Sequence, residues 1–524
     1  MPAIDPSTPV VVGWHSVSRR DADPRDGQEA AELMASAAGA ALAASGLDGS
    51  DVDWIGATAG LTRYADPARL VAERIDAGAA HTVLAHIGVL QQTLVSHACR
   101  AVQNGAHQVA LVVGGEAHYR KVRAAARGLE SYVTTQAPAV VPDESLTSPD
   151  FDASMSHPAE VAAGLSATPA YYALIDSFWR SQNGRGIEEH RDELARVYSR
   201  FSAVARNNPD AVRANGYRAE ELRDPSANNP MLAFPYTKLL ATTWTVDQGC
   251  ALVITTHRHA DELGIPNGSR CYPAVAVESN HVVPVAGRTR LSQPAAMRII
   301  GETISHRMRR DVSEIELLDL YSAFPAPVFI GAQALRVPAG RDLTLTGGMS
   351  FAGGPLNSYV LHAIAAAAQR LTSSDAHAAL VSSVSGLYTK QGALVITAEA
   401  PPEPFETIDV TDAVADEEPQ LPVVVDAQGA ARVVAYTVVF DGDRPERAIA
   451  VVDLADGSRA VARSHDQELM ASALTDDLVG AEVVLRDGIF TTTADQTESQ
   501  RLLVYPASTG SATPVTYRPE SETR

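Results

Sequence analysis

The chain has 524 residues, of which 45% are hydrophobic and 20% charged, so it can form two or three globular domains with full cores. Its net charge of −21, without a basic stripe carrying interleaved aromatic residues, excludes a nucleic-acid-binding protein. Its three cysteines form no Cys-x-x-Cys motif, which excludes a disulfide scaffold and argues against a metal site. The amino terminus lacks the pattern of a signal peptide, and we expect a cytoplasmic protein without a membrane-spanning segment.

Strands and helices alternate over the first 113 residues, which is typical of an α/β sheet with crossover connections. The clearest helix follows Gly88, because apolar residues from Leu90 to Val102 recur with a period of 3.6 and Gly105 ends the pattern as a C′ glycine would. The predicted elements are strands at 9–13, 52–57, 81–85 and 108–113 and helices at 28–45 and 88–105.

The regular alternation stops at residue 117 and resumes with a strand at 250–255. The intervening region predicts helices at 171–182 and 188–207 and carries several arginines and prolines. The strand–helix pattern then restarts and predicts a second half with a similar order of elements. Its predicted elements are strands at 272–279, 314–321, 343–346, 378–383 and 393–398 and helices at 293–309 and 356–370.

A Pro-rich segment at 401–406 marks a change in composition, and most of the net negative charge lies after it. Apolar runs in this tail are separated by Asp441-Gly442, Asp456-Gly457 and Asp487-Gly488, which are strong hairpin signals. With a short helix at 465–474, they predict a small OB-like β-barrel. We expect it to fold separately, so that a chain truncated before Pro401 stays soluble. Its acidity indicates either a solvated surface or a site for a basic protein partner.

Five short motifs occur in an order and spacing that resemble the thiolase superfamily, the acyl-transferring enzymes of coenzyme A metabolism. The match includes sterol-carrier-type and acetyl-CoA-acetyltransferase-like members, some of which carry an added C-terminal domain. The motifs are Val113-Gly114-Gly115-Glu116, Pro235-Tyr236-Thr237-Lys238, Val246-Asp247-Gln248-Gly249, Asp319-Leu320-Tyr321-Ser322 and Gly347-Gly348.

This resemblance implies an α/β thiolase-like fold of two similar βαβαβαββ halves and an added all-β domain. The implied units are 1–260, with a loop domain inserted at 117–240, then 261–400 and 401–524.

The resemblance also implies where catalytic groups should lie. The nucleophilic cysteine position falls on Gly88, the histidine of a Gly-His-Pro segment on Gly354, and the asparagine that supports an oxyanion hole near Phe324. The run 381–386, which matches the segment of the second catalytic cysteine, contains no cysteine. Cys99 lies about 16 Å further along the helix and is interpreted as core packing. We therefore predict no conventional catalytic residue.

Other side chains are candidates for ligand contacts. Arg120, Lys121 and Arg123 could hold phosphates, although a solvated basic face explains the same cluster. His281 lies at a strand end and could line a cleft, although a lone histidine there is more often structural. Asp319 and Tyr321 could face the cavity of the implied active site, although turn packing explains them equally well. No cofactor is predicted, and coenzyme A is expected to bind weakly at most.

Three functions are compatible with the sequence. The first is a thiolase-like protein without conventional catalysis that binds an acyl-CoA-like or lipid ligand, or a protein partner. The second is an active acetyl-CoA acyltransferase of lipid metabolism that uses unrecognised catalytic groups. In the third, the tail domain carries the function and the rest supports it. The sequence does not choose between a monomer and a thiolase-like dimer.

Overall fold

A computed structural model describes residues 4–21, 23–148, 151 and 155–492. The first half of the chain forms a six-stranded sheet with the order β1-β8-β4-β2-β3-β5. β8 is antiparallel to both β1 and β4, whereas β4, β2, β3 and β5 run parallel. The strands are β1 (Pro9–Arg19), β2 (Trp54–Thr58), β3 (His81–Ala85), β4 (Ala110–Ala117), β5 (Glu144–Leu146) and β8 (Asp247–Thr256).

Helices cover this sheet on both faces. α1 (Ala30–Ser45) and α2 (Pro67–Arg74) pack on one face, where alanines and other small apolar residues allow close approach to the strands. α3 (Gln91–Gln103) packs on the opposite face and also contacts two strands of a second sheet, β9 (Tyr272–Ser279) and β12 (Lys390–Thr397). α3 is therefore buried between the two sheets, as its apolar period indicates.

The second half forms a five-stranded sheet with the order β10-β11-β12-β9-β13. Its helix α12 (Tyr359–Ser373) lies beside α3 and contacts β1, β8 and β11, so one core joins the halves. The other elements are β9 (Tyr272–Ser279), β10 (Leu317–Asp319), β11 (Ala378–Ser385), β12 (Lys390–Thr397), β13 (Glu406–Asp409), α9 (His257–Glu262), α10 (Pro294–Met308), α11 (Pro325–Ala334) and α13 (Thr411–Glu417).

The region between β4 and β8 is mainly helical and packs over the junction of the two halves. Its two long helices, α6 and α7, bury aromatic side chains against the second half, including Tyr172, Tyr198 and Phe201. The elements are α4 (His118–Ala126), α5 (Pro158–Ala162), α6 (Thr168–Gln182), α7 (Ile187–Ala205), α8 (Ala219–Arg223), β6 (Met231–Ala233) and β7 (Tyr236–Thr237).

The tail contains a closed ring of five strands in the order β15-β16-β17-β19-β18, because β18 pairs back onto β15. The three Asp-Gly pairs lie at the predicted hairpin turns. The elements are β14 (Val423–Val424), β15 (Gly429–Asp441), β16 (Arg444–Leu454), β17 (Arg459–Ser464), α14 (Gln467–Ser472), β18 (Glu482–Arg486) and β19 (Ile489–Thr492). The thiolase-like α/β architecture and the small β-barrel are both confirmed.

Two details differ from the sequence prediction. The strand predicted at 343–346 is an irregular segment, because Leu345 and Thr346 donate their backbone N–H groups to the buried carboxylate of Asp319 instead of to a neighbouring strand. The unit boundaries stay predictions, but β13 still pairs with β9 of the second sheet, so the first residues after 401 belong to that sheet.

The barrel is also joined to the rest of the chain. β15 pairs with β6 at Val439 and Ala233, and the Tyr436 N–H donates to Ser177 Oγ of α6 (3.2 Å). The guanidinium of Arg180 on α6 is buried against Asp477 (2.6 Å). The barrel therefore contributes to the apolar contacts of α6, while its separate folding stays a prediction.

Candidate functional site

The site that the sequence implies lies in front of the amino terminus of α3. Gly88 precedes this helix with a φ of +105°, a conformation that L side chains rarely adopt. A Cβ at this position would lie 2.8 Å from Cγ of Phe151, which is itself buried. Gln91 begins the helix, and its side-chain oxygen accepts from the N–H of Val360 at the start of α12 (2.7 Å). This hydrogen bond links the starts of α3 and α12, and the Phe151 ring fills the space in front of α3.

Phe151 also reaches the turn between β11 and β12. A Cβ at Gly386 would lie 3.0 Å from Cε2 of its ring. The Phe151 ring therefore lies between Gly88 and the turn that joins β11 to β12. The run 381–386, which matches the segment of the second catalytic cysteine, ends at this turn. Sequence reasoning missed this residue, because a single phenylalanine outside every recognised motif carries no signal.

Lys390 lies on the other side of Gly88. Its Nζ donates to Gly88 O (2.6 Å) and to Ser148 Oγ (2.9 Å), and the side chain is buried. Burial lowers the pKa of Lys390 to about 8, although the negative charges of Glu278 and Asp409 oppose the shift. A partly neutral amine near neutral pH is a candidate nucleophile or base. The only sign of Lys390 in the sequence is that a lysine begins an otherwise apolar strand.

The other two implied catalytic positions are packed as well. A Cβ at Gly354 would overlap Thr242 Oγ1, and the Gly354 N–H donates to Thr243 O (2.9 Å). Phe324 is buried and stacks on Tyr172 with ring centroids 4.6 Å apart. Neither position presents a polar side chain to Gly88.

The cysteines offer no alternative nucleophile. Cys99, Cys250 and Cys271 are all buried and free of disulfides. Burial raises the pKa of the Cys250 and Cys271 thiols to about 12, and that of Cys99 is raised as well. A thiolate is the nucleophilic form, and these environments disfavour it strongly.

A crevice of about 630 Å³, here called the edge crevice, opens beside Gly88 at the carboxyl ends of β2 and β3. The connection after β2 leads to α2 on one face and the connection after β3 leads to α3 on the other, so the two loops separate. Ligands of open α/β sheets bind at such switch points. The edge crevice is lined by Ala30, Met34, Thr58, Ala59, Gly60, Thr62, Arg63, Tyr64, Pro67, Leu84, His86, Ile87, Gly115, Thr147 and Ser148.

Glu116 lies behind the edge crevice and is almost fully buried. Its carboxylate accepts from the N–H of Leu61 (2.8 Å) and occupies the space beside Gly60. Burial raises the pKa of Glu116 to about 7, although this hydrogen bond and Lys121 oppose the shift. The carboxyl group therefore titrates near neutral pH.

The titration of Glu116 predicts a pH dependence of stability. The folded chain holds a proton that the unfolded chain releases near pH 4.5, so stability is full below that pH and falls as the pH rises towards 7. We expect Glu116→Gln, which keeps the acceptor for Leu61, to be about 1–3 kcal/mol more stable than the parent at pH 8 and equal to it at pH 4.5. Urea unfolding at both pH values measures this, and an equal difference at both would contradict it.

The predicted phosphate cluster is not assembled as a site. The Arg120 guanidinium is buried, donates to Gly27 O (2.8 Å) and to Tyr132 O, and stacks on the Tyr132 ring. Arg123 lies over the ring of Tyr119, whereas Lys121 is exposed. Arg120 is thus a structural group that holds a loop, and only Lys121 presents its charge fully to solvent.

The remaining candidates are separated from that cluster and have different environments. Asp319 is fully buried and accepts hydrogen bonds from Tyr359 Oη (2.9 Å), Thr344 Oγ1 (3.0 Å) and backbone N–H groups, so it organises the core. Burial raises the pKa of Tyr321 to about 12, and its ring lies edge-on to Tyr359. Burial lowers the pKa of His281, although a hydrogen bond to the backbone of Glu418 opposes the shift. These residues therefore do not form one ligand site with Arg120.

Comparisons with known proteins agree with this architecture. The family "Thiolase-like protein type 1 additional C-terminal domain" matches residues 409–488. The chain is similar to the crystal structure of a monomeric SCP2-thiolase like protein type 1 from Mycobacterium smegmatis, with 26% identity and a TM-score of 0.77 over 93% of this chain and 98% of that one. The chain belongs to the thiolase superfamily.

Two solved structures of lower identity share the fold alone. Human mitochondrial 3-ketoacyl-CoA thiolase is 16% identical with a TM-score of 0.54, over 75% of this chain and 99% of that one. The "Ltp2-ChsH2(DUF35) aldolase" is 17% identical with a TM-score of 0.56, over 75% and 98%. No curated protein matches the sequence of this thiolase-like chain.

Two features are absent from the described part of this thiolase-like chain. Across residues 4–21, 23–148, 151 and 155–492, no helix combines the length and apolar character that crossing a membrane requires. Within the same ranges, no three His, Cys, Asp or Glu side chains are grouped so that they could hold a metal ion.

Proposed function

We propose that this thiolase-like protein does not perform conventional thiolysis and instead binds an acyl or lipid ligand in the edge crevice. The observation that carries the proposal is the filled space in front of α3, where Phe151 covers Gly88 and Lys390 holds its carbonyl oxygen. A nucleophile there would lack space, and the candidate base Lys390 already donates to Gly88 O and Ser148 Oγ. Losing one member of a catalytic unit can already cost about 10⁶ in rate.

The edge crevice has the composition that an acyl ligand requires. Met34, Leu84 and Ile87 supply apolar walls, while Thr58, Thr62 and Ser148 supply hydroxyl groups. Its volume of about 630 Å³ is within the ordinary range for small-molecule sites. Ile87 is 47% exposed at the mouth, which an apolar ligand would cover.

Coenzyme A itself fits less well than the acyl part. Its phosphates need exposed cationic groups, whereas Arg120 is committed to carbonyl oxygens and the crevice contributes only Arg63. From this charge distribution, we expect the crevice to bind the acyl part of a ligand and to bind its phosphates only weakly. An acyl chain on a different carrier would then bind about as well.

Calorimetry with octanoyl-CoA, octanoyl-pantetheine and free coenzyme A tests the proposal. We expect the two octanoyl ligands to bind within about threefold of each other and coenzyme A alone to bind with a Kd above about 100 μM. Ile87→Asp should weaken octanoyl binding about tenfold, because it places a charge against the apolar chain. Val161→Asp, at a position that is 64% exposed and outside the crevice, is the matched control.

The results discriminate between the candidate functions. Sub-micromolar binding of coenzyme A, or an Ile87→Asp variant that binds octanoyl ligands normally, would overturn the proposed site. An acyl adduct on Lys390 after incubation with acetyl-CoA, detected by mass spectrometry, would instead support the active acyltransferase.

A protein partner is the second candidate, favoured by one feature of the barrel. Val424, Val425 and Ile489 are exposed large apolar side chains, and β14 and β19 pair with the same edge of β17. These apolar side chains on the acidic barrel would be complementary to a protein partner whose binding surface is bordered by basic residues. The absence of heat with every ligand in the calorimetry would favour this function over acyl binding.

A further inference from the structure

A serine in the wall of the edge crevice is hydrogen-bonded to a buried lysine. Ser148 lines the crevice and is half-buried, whereas Lys390, the first residue of β12, is 2% exposed. Lys390 Nζ lies 2.9 Å from Ser148 Oγ and 2.6 Å from Gly88 O. A hydroxyl group of the crevice wall therefore has an amine of the protein interior within hydrogen-bond distance.

Hydrogen bonds on both sides of Ser148 hold its backbone at the sheet edge. Leu146, two residues earlier, ends β5 in register with Ala85 of β3, and its carbonyl oxygen accepts from the His86 N–H (3.0 Å). The carbonyl oxygen of Ser148 itself accepts from the Phe151 N–H (3.0 Å). Ser148 is therefore held in place where the crevice opens, as a catalytic nucleophile must be.

The charge of Lys390 decides what its contact with Ser148 can do. A protonated amine has three N–H donors and no acceptor, so it can only donate to Ser148 Oγ and Gly88 O. A neutral amine has two N–H donors and a lone pair, so it can donate to Gly88 O and accept the proton of the Ser148 hydroxyl. Burial lowers the pKa of Lys390 to about 8, while the charges of Glu278 and Asp409 oppose this shift. Both forms of the amine are therefore populated near neutral pH.

The turn that Lys390 holds also carries backbone donors. The N–H groups of Ile87 and Gly88 donate to none of the residues that the structure describes, and Ile87 lines the crevice. Gly88 O and Ser148 Oγ share the Lys390 amine, so this turn lies beside Ser148. Backbone N–H groups next to a nucleophile stabilise the negative oxygen that forms when a carbonyl carbon is attacked.

We propose that Ser148 and Lys390 form a nucleophile–base pair that hydrolyses an acyl thioester bound in the edge crevice. This inference rests on the acyl site proposed above. Ser148 Oγ bonds to the carbonyl carbon as its proton passes to Lys390 Nζ. The C–S bond then breaks, and the leaving thiolate takes that proton and departs as a thiol. Water next attacks the Ser148 ester, its proton passes through Lys390 to Ser148 Oγ as the C–O bond breaks, and a carboxylic acid is released.

The walls of the crevice determine which thioester is expected to react. The apolar side chains of Met34, Leu84 and Ile87 favour an acyl chain of medium length. Acetoacetyl-CoA has a short polar acyl group and a phosphorylated carrier, so we expect it to be a poor substrate. The proposed reaction also differs from thiolysis, because water and not coenzyme A takes the acyl group.

Octanoyl-pantetheine and an octyl fluorophosphonate test the pair. The first reports hydrolysis through the thiol that it releases, and the second forms a stable phosphonyl ester with an activated serine and releases fluoride. We expect the full chain to react with both, and peptide mapping by mass spectrometry should place the phosphonyl group on Ser148. Ser148→Ala should reduce both reactions to background. Ser145→Ala, at an exposed position of β5 outside the crevice, should leave them unchanged.

Two substitutions separate the base from the structural contacts of Lys390. Lys390→Arg keeps N–H donors for Gly88 O and Ser148 Oγ but stays protonated, and Lys390→Met removes the donors and the base together. We expect each to slow the hydrolysis of octanoyl-pantetheine at least about 100-fold, since general acid–base catalysis contributes about 10²–10⁴. Lys238→Met, at an exposed position outside the crevice, is the control.

A binding measurement distinguishes failure of this inference from failure of the acyl site. Calorimetry of octanoyl-pantetheine with Ser148→Ala, which cannot turn the ligand over, should show binding. Binding to this variant without any reaction at Ser148 in the full chain would overturn the inference and leave the acyl site standing. Neither binding nor reaction would overturn both. An adduct on Lys390 instead of Ser148, or full activity of Lys390→Arg, would also overturn the inference.

Discussion

Gly88→Cys should produce a less stable protein that does not cleave acetoacetyl-CoA above background. The substitution places a Cβ 2.8 Å from the Phe151 ring at a φ of +105°, so it combines a clash with backbone strain. We expect a loss of about 2–4 kcal/mol in the free energy of unfolding. The thiol also lacks the histidine base, because Gly354 stands at the position implied for it and Lys390 is engaged with Gly88 O and Ser148 Oγ.

Gly105→Cys is the matched control for Gly88→Cys. Gly105 also has a positive φ, of +75°, but a Cβ there meets no atom within 4 Å. Gly105→Cys should lower the free energy of unfolding only through its backbone strain, by about 1 kcal/mol. Urea unfolding measures both losses, and a coupled thiol assay measures cleavage. Equal losses in the two variants would show that Phe151 does not fill the site, and turnover in Gly88→Cys alone would show that a base and oxyanion donors are present.

Ending the chain at Leu421, which removes the barrel but keeps β13 and α13, should cause the largest loss of stability. α6 would lose the apolar side chains of β15 and expose its own, and Arg180 would lose Asp477. We expect strong binding of the dye ANS and a fall of about 10 °C or more in the midpoint of thermal unfolding.

A chain ending at Thr492 is the control for this truncation, because it retains every strand of the described barrel. It should unfold at the temperature of the full chain. A chain ending at Leu421 with an unchanged midpoint and no ANS binding would mean that the barrel is dispensable, as the sequence alone had led us to expect.

Local patterns in the sequence were sufficient for the order of elements. The apolar period of α3 and the Gly105 signal predicted the buried central helix, because helical packing against two sheets requires that spacing. The Asp-Gly pairs predicted the barrel hairpins, because two-residue turns need their backbone conformations. Neither signal depends on distant residues.

Contacts between distant residues decided the candidate site. Lys390 meets Gly88 across 302 positions, and Phe151 covers Gly88 from a region without regular pattern. β5, a three-residue strand, pairs with β3 at the sheet edge and carries no period that a sequence could show. Such pairings depend on how the helices and sheets are packed, so they leave no short-range signature.

The sequence by itself therefore determined the two-half architecture, the barrel and the absence of a cysteine at residue 88. Only the tertiary structure decided that the space beside residue 88 is filled and that Arg120 is internal. The physical reason is that backbone patterning follows from neighbours along the chain, whereas the burial and hydrogen-bond satisfaction of a side chain depend on residues brought together only by folding.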